Sequence, residues 1–501
     1  MKKPQLVVLW LILSLFLVSF SYIGEVKAQD NTIYIRADGT VEGTDKIQRE
    51  GNIYTFTGNI INEINVERSN IVIDGANFSL QSSFRGIVLT SQSSVTIKNI
   101  KIEIQLSRYG YAFGIVLTSS FSNTIINNEI IVPYNLSGEP SLLTGILLDE
   151  SSNNKISNNT ITSLQETGIQ LSESLGNTIS NNKFNGCGIS AVDSAQNTVF
   201  NNTVNEKPLV YLENISDFVV EKAGQIILVN CNNITVTNFV LPIIGIQLLN
   251  TKNSVISKNQ ADLFLYESSR NVISENTGEI ELQFSDYNTV SKNNWWIELY
   301  NSSNNVVSEN KVGIKAAFSV NLTLMYNEIG PYSISLQNTV NSLVESNKIT
   351  GNESGEGIVL SFSFNNTIIN NIIEKHTFGI YLRYSGYNII YGNNFIDNEA
   401  HVVNLGSPNI WDNGTAGNYW SDYLNKYPNA TSQNGIWDIP YQIIDSYNLT
   451  TSDHDNFPLA SPVDIETIPE FPSWTPFLIS GLIATFLMLI IYRQKIKEKR
   501  K

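Results

Sequence analysis

Apolar and polar residues alternate along most of the chain in short runs, and the runs repeat. From Gly145 the sequence reads GILLDESSNNKISNNTI. Ile146 and Leu148 alternate with Leu147 and Asp149, the period of two that a strand with one buried face requires. A polar turn follows, then a second short strand, then an Asn-rich corner. Asn153, Asn154, Asn158 and Asn159 mark the corners, because Asn tolerates the left-handed conformation and bonds to its own backbone. The pattern returns from Gly114, Gly168, Gly188, Gly357 and Gly379, with weaker copies from Asp262 and Trp296.

One such unit cannot bury its apolar face alone, but stacked units bury a continuous column. Nine residues after the Gly, an Asn recurs as Asn123, Asn154, Asn177, Asn197, Asn366 and Asn388. Stacked at the strand spacing of about 4.8 Å, these amides form a hydrogen-bonded ladder. The pattern predicts an all-β parallel β-helix, a solenoid of about 14 rungs. Repeats anchored this way resemble right-handed parallel β-helix proteins of the NosD-like or carbohydrate-binding and sugar-hydrolysis (pectin-lyase-like) group, in an archaeal cell-surface form. The more specific resemblance lies past Pro408. Asn409-Ile410-Trp411-Asp412-Asn413-Gly414, Gly417-Asn418-Tyr419-Trp420-Ser421-Asp422-Tyr423, Asp438-Ile439-Pro440-Tyr441 and Phe457-Pro458-Leu459 resemble the C-terminal motif of NosD-like proteins. Right-handedness comes from that resemblance and from irregular rung lengths.

The expected organisation is a signal peptide over 1–28, N-terminal cap strands over 29–69, repeats over 70–406 and an aromatic cap over 407–460. A linker over 461–474, a transmembrane helix over 475–492 and a basic tail over 493–501 follow. Lys2 and Lys3, the apolar run Leu6 to Phe20 and the exit Val26-Lys27-Ala28 carry the signal reading. Phe477 to Tyr492, then RQKIKEKRK, carry the anchor reading. Pro469-Glu470-Phe471-Pro472 resembles a PEF-type sorting motif. The chain is thus expected at the cell surface, outside the membrane. Rung length adds detail: copies at Asp262, Glu279, Trp296 and Gly313 are each 17 residues apart, leaving no room for loops. Loops are expected at Pro133 to Leu143 and Gly351 to Glu356.

A net charge of −15 with 31 basic residues excludes nucleic acid as the expected partner. Two Cys, three His and three Met leave little for soft-metal chemistry. Cys187 and Cys231 read as buried small residues. Sequons such as Asn77, Asn135, Asn214, Asn301, Asn321, Asn352 and Asn413 are compatible with a glycoprotein.

Stacking the repeats places candidate chemistry in columns. Glu150, Glu173 and Asp193 follow the rung Gly by five residues, with Asp149 beside them. Like charges at strand spacing either bind a cation or hold a raised pKa. Glycosidases use carboxylate pairs at roughly 5 to 9 Å, so this column is one catalytic candidate; a solvated acidic edge is the plainer reading. Glu281, Glu298 and Lys315 form a second column, either a catalytic pair with a cation or a surface ion ladder. Tyr266, Trp295, Trp296 and Tyr300, with Phe284 and Phe318, offer flat rings for sugars or fill corners. The NosD resemblance implies copper delivery, but His376, His401 and His454 have no metal-ligand spacing, so no metal site is expected. Family members hold calcium in an Asp-rich stretch; here Leu424 to Ile436 contains no Asp, and calcium is the one cofactor left open. The leading expectation is a membrane-anchored extracellular β-helix that binds carbohydrate or builds the envelope, partnered by glycan or envelope components. The alternative is a polysaccharide hydrolase or lyase; a copper-delivery accessory role ranks last.

Overall fold

The computed structural model describes residues 32–465 apart from 106–110, 133–141, 164–166, 242–244, 407 and 446–449. The expected signal peptide, sorting motif, membrane helix and basic tail, and most of the 133–143 loop, lie outside the described residues. The regular structure of the described chain is almost entirely strand; among the described residues the one helix is Tyr423–Lys426. None there is long and apolar enough to cross a membrane. Two compact units divide at Val199 and Phe200.

In the first unit three strand faces stack in parallel. The inward residues of the first face form straight columns: Ile115, Ile146, Ile169 and Ile189, and beside them Leu117, Leu148, Leu171 and Ala191. The second face contributes Ile97, Ile125, Ile156 and Ile179, and the third Ile102, Ile130, Ile161 and Phe184. All are essentially inaccessible to solvent, so every rung adds several fully buried aliphatic side chains, each worth about 1.5–3 kcal/mol of burial. The N-terminal segment belongs to the same stack. Ile33–Ile35 pairs in parallel with Ile64–Val66, and Ile53–Phe56 with Val72–Asp74. Val41–Glu42 and Ile47–Glu50 pair antiparallel at the edge, where they cover it.

The second unit continues the same plan from Lys207–Glu213 to Ala400–Leu405 around one core. Its 17-residue rungs carry a first-face strand of four residues, such as Leu263–Tyr266, and a second-face strand of three, such as Val272–Ser274. The first face holds seven parallel strands in the first unit and eleven in the second. That exceeds the expected 14 rungs. Counting from rung glycines misses Ile33–Ile35 and Ile64–Val66, which were expected as cap strands, and Lys207–Glu213, whose rung lacks the Gly and the paired Asn.

Asn-Asn corners divide their work between the two residues. Asn153 and Asn158 take the left-handed conformation, with φ of 58° and 57°; Asn154 and Asn159 turn inward and are buried. The inward Asn accepts at Oδ1 from both the backbone N–H and the side-chain amide of the rung before: Asn123 N and Nδ2 lie 2.9 and 3.1 Å from Asn154 Oδ1. A second ladder runs through Asn128, Asn159 and Asn182. In the second unit a corresponding ladder passes without interruption through Asn259, Asn276, Asn293, Asn310, Asn327, Asn347, Asn371, Asn393 and Asn418.

A ladder must end on an acceptor, and Asp453 and Asp455 supply it. Asn409 N donates to Asp453 Oδ2 at 3.1 Å, and Asn418 N donates to Asp455 Oδ2 at 2.7 Å. The same two oxygens accept from the indoles of Trp411 at 3.2 Å and Trp420 at 2.9 Å. Phe395, Trp420 and Tyr441 stack face to face, with centroids 4.4 and 4.1 Å apart, over the last rung. Burial raises the Asp455 carboxyl to about 6, against the pull of the Asn418, Trp420 and Phe457 N–H groups.

Candidate functional site

The column of Glu150, Glu173 and Asp193 sits on a corner. All three take the left-handed conformation, with φ between 46° and 48°, and all three are exposed. Their N–H groups serve the backbone ladder: Glu150 N donates to Ser172 O and Glu173 N to Val192 O. The next residue in each rung, Ser151, Ser174 or Ser194, turns inward and is buried. Asp149 stands beside them, and burial, with Glu150 and Glu173 near, holds its carboxyl above the usual range. The corner therefore presents solvated carboxylates, and among the described residues no aromatic pair packs beside them.

A denser arrangement lies on the first face of the second unit. Strand register places Phe264, Glu281, Glu298, Lys315 and Ser335 side by side on successive rungs, pointing outward between the buried Ile and Leu positions. Lys315 Nζ is 3.1 Å from Glu298 Oε1, and Trp296 Nε1 donates to the same oxygen at 3.2 Å. Gln283 Nε2 donates to Glu281 Oε1 at 2.6 Å. Asp262 and Glu279 extend the acidic row at its N-terminal edge, Asp262 Oδ1 accepting from Glu279 N at 2.8 Å. Partial burial, with Asp262, Glu281 and Glu298 around it, raises the Glu279 carboxyl.

Aromatic rings bound this row on both sides. On one side Trp295 is 59% exposed, and Trp296 meets Tyr332 edge-on at 5.6 Å. Trp296 lies against Gly313 of the next rung; a Cβ there would come within 2.3 Å of its ring, so the absence of a side chain makes its seat. On the other side Tyr266, Phe284, Tyr300 and Phe318 touch in sequence at 5.6, 6.2 and 5.4 Å. Tyr266 is only 9% exposed, so its ring packs rather than presents a surface. Tyr332, 53% exposed, is a platform residue the repeat pattern could not mark, because it precedes its strand outside the alternation. Glu279 was equally hidden, being read as a rung start rather than as part of the acidic row.

Two family models match the chain: the right-handed β-helix region over 25–204 and 112–241, and the periplasmic copper-binding protein (NosD) over 300–425. The second covers the last rungs and the first third of the aromatic cap, whose motif the parallel stack now explains. The chain is a NosD-like right-handed β-helix protein. This NosD-like chain is 40% identical over 96 residues to a probable ABC transporter binding protein NosD of Stutzerimonas stutzeri, 19% of this chain and 21% of that one. It thus spans about a fifth of the length of the curated relative it matches. Solved structures similar to it include the periplasmic alginate epimerase AlgG (14% identity, 75% of this chain and 83% of that one, TM-score 0.23). The surface adhesin PfbA of Streptococcus pneumoniae (14%, 65% and 84%, TM-score 0.21) and the tailspike of E. coli bacteriophage HK620 with a pentasaccharide (9%, 72% and 67%, TM-score 0.24) are similar as well.

The described residues of the NosD-like chain do not fit a copper site. His376 is buried with neither ring nitrogen hydrogen-bonded. His401 Nε2 lies 3.3 Å from Asp422 Oδ1 and its Nδ1 3.3 Å from the Asn398 amide, so it ties rung to cap. His454 is exposed on the strand Thr450–Asp455. Among the described residues no three His, Cys, Asp or Glu side chains gather closely enough to hold a metal ion. Cys187 and Cys231 are free and buried, and burial pushes the Cys187 thiol up to about 12.

Proposed function

We propose that this is an extracellular glycan-binding protein, displayed at the cell surface, that takes a polysaccharide across the first face of its 17-residue rungs. The observation that carries the reading is the acidic row of Glu281 and Glu298 running between two aromatic flanks, Trp295, Trp296 and Tyr332 on one side and Tyr300 and Phe318 on the other. Flat rings cover the apolar faces of sugars while carboxylates accept from hydroxyl groups. A parallel stack holds these groups on rigid strands, so binding costs little ordering entropy. The corner carboxylates Glu150, Glu173 and Asp193 lack such flanks and are assigned no ligand. Anchoring through the 475–492 segment belongs to the same proposal.

One observation favours a hydrolase or lyase as second reading: Glu279, a carboxyl raised by partial burial and by neighbouring acids, is the kind of group that donates a proton. A single assay separates the two. The full chain is incubated with immobilised neutral and charged polysaccharides, with and without calcium, and both retention and reducing-end release are read. Retention without release, lost in Trp296→Ala, supports the binder. Release abolished in Glu279→Gln makes it an enzyme. Neither retention nor release on any polymer overturns the proposal.

A further inference from the structure

The acidic row is nearly bare of cations. Among the described residues, Asp262, Glu279, Glu281 and Glu298 share the face with one basic side chain, Lys315, and the ion pair that Lys315 makes is with Glu298. Among the described residues, Glu281 receives the Gln283 amide and Asp262 a backbone N–H, and neither receives a cation. Lys315 itself shows what the row accommodates. It occupies the position that Glu298 holds one rung earlier, and its ammonium sits 3.1 Å from a carboxylate already bonded by the Trp296 indole. One rung back, the register neighbours of Glu281 are the ring of Phe264 on one side and the carboxylate of Glu298 on the other, so neither supplies it with a cation.

We infer that the polymer this face takes is a cationic amino-sugar polysaccharide, one whose free amino groups pair with Glu281 and Asp262 while its sugar rings lie on Trp296, Tyr332 and Tyr300. The inference rests on the glycan reading above and names its substrate class. A uronic-acid polymer would bring carboxylates against carboxylates, a like-charge juxtaposition that suppresses binding. A free ammonium instead forms charge-assisted hydrogen bonds of the kind Lys315 already makes. N-acetylation removes that charge and leaves only the stacking contribution.

The test compares retention of the full-length protein on a polyglucosamine, its N-acetylated counterpart and a polyuronate, at low and high salt. The expected result is retention on the polyglucosamine that is about fivefold stronger than on the acetylated polymer and falls with salt. Glu281→Gln should weaken it about fivefold with unchanged thermal unfolding. Lys315→Met, which frees Glu298, should strengthen it; this gain cannot come from misfolding. Equal retention on the acetylated polymer, or preference for the polyuronate, overturns the amino-sugar inference and leaves the glycan reading standing. No retention on any of the three, with none on neutral glycans, removes the glycan reading and this one with it.

Discussion

Replacing Asn293 by Ala in the middle of the long ladder should cost several kcal/mol, because the residue is polar and fully buried. Asn293 Oδ1 accepts from Asn276 N at 2.9 Å and from Asn276 Nδ2 at 3.2 Å; its own Nδ2 donates to Ile273 O at 3.2 Å and to Asn310 Oδ1 at 3.0 Å. Truncation leaves some of these groups served. Asn276 Nδ2 still reaches Ile256 O, and Asn310 Oδ1 still accepts from the Asn293 backbone. The Asn276 N–H loses its acceptor and Ile273 O loses a donor, both deep inside the stack. At about 1–3 kcal/mol for each buried group left unmade, the loss is about 2–6 kcal/mol. The neighbour Asn294 is exposed, and Asn294→Ala should change stability by no more than about 0.5 kcal/mol. The assay is the urea midpoint of unfolding for both variants beside the wild type, followed by far-UV circular dichroism. Equal midpoints for Asn293→Ala and Asn294→Ala would refute the claim that the amide ladder, rather than aliphatic burial alone, holds the rungs together.

The cap should titrate in two separate windows. Asp455 has a folded value of about 6 against an ordinary 3.8; folding therefore takes up a proton, and stability is greatest below about 3.8 and is lost as pH rises through about 6, by up to about 3 kcal/mol. Wild type should thus gain stability between pH 7 and 5 relative to Asp455→Asn, which thermal unfolding across that range would detect. Asp422 runs the other way: burial opposes its charge, but His401 and Lys426 outweigh burial and hold it well below the usual range, so its contribution is present above about 3.8 and disappears only on stronger acidification. The Glu298–Lys315 pair is half-exposed, and a double-mutant cycle should give no more than about 1 kcal/mol, shrinking with salt; a larger, salt-insensitive coupling would contradict its surface placement. Gly313→Ala should push the Trp296 ring off its seat and lower glycan retention, and unchanged retention would show that the ring's position is immaterial.

The alternation and the Asn corners were legible because both depend on local geometry that repeats. A strand needs apolar residues at every second position, and a corner needs a residue that tolerates positive φ, whatever the rest of the chain does. The register of Glu281, Glu298 and Lys315 was readable for the same reason: equal 17-residue rungs carry equal positions into one column. The rung count fell short where that regularity failed, near Lys207–Glu213, since parallel pairing there survives without the Gly and Asn marks.

Periodic spacing alone determined the parallel β-helix, the buried Ile and Leu columns, the first amide ladder and the outward acidic row. The tertiary structure decided the rest. Asp453 and Asp455 read as a polar stretch, SDHD, until the chain returns across 44 and 37 residues to place them at the ladder ends. Tyr266 and Trp295 read alike as surface rings, yet Phe264 and Phe284 cover the first while the second stays open. Tyr332 joined the candidate site because Trp296, seated against Gly313, meets it edge-on. A repeat specifies which side of the strand each residue faces; what covers an outward residue depends on neighbours from other rungs, and that is a property of the stack.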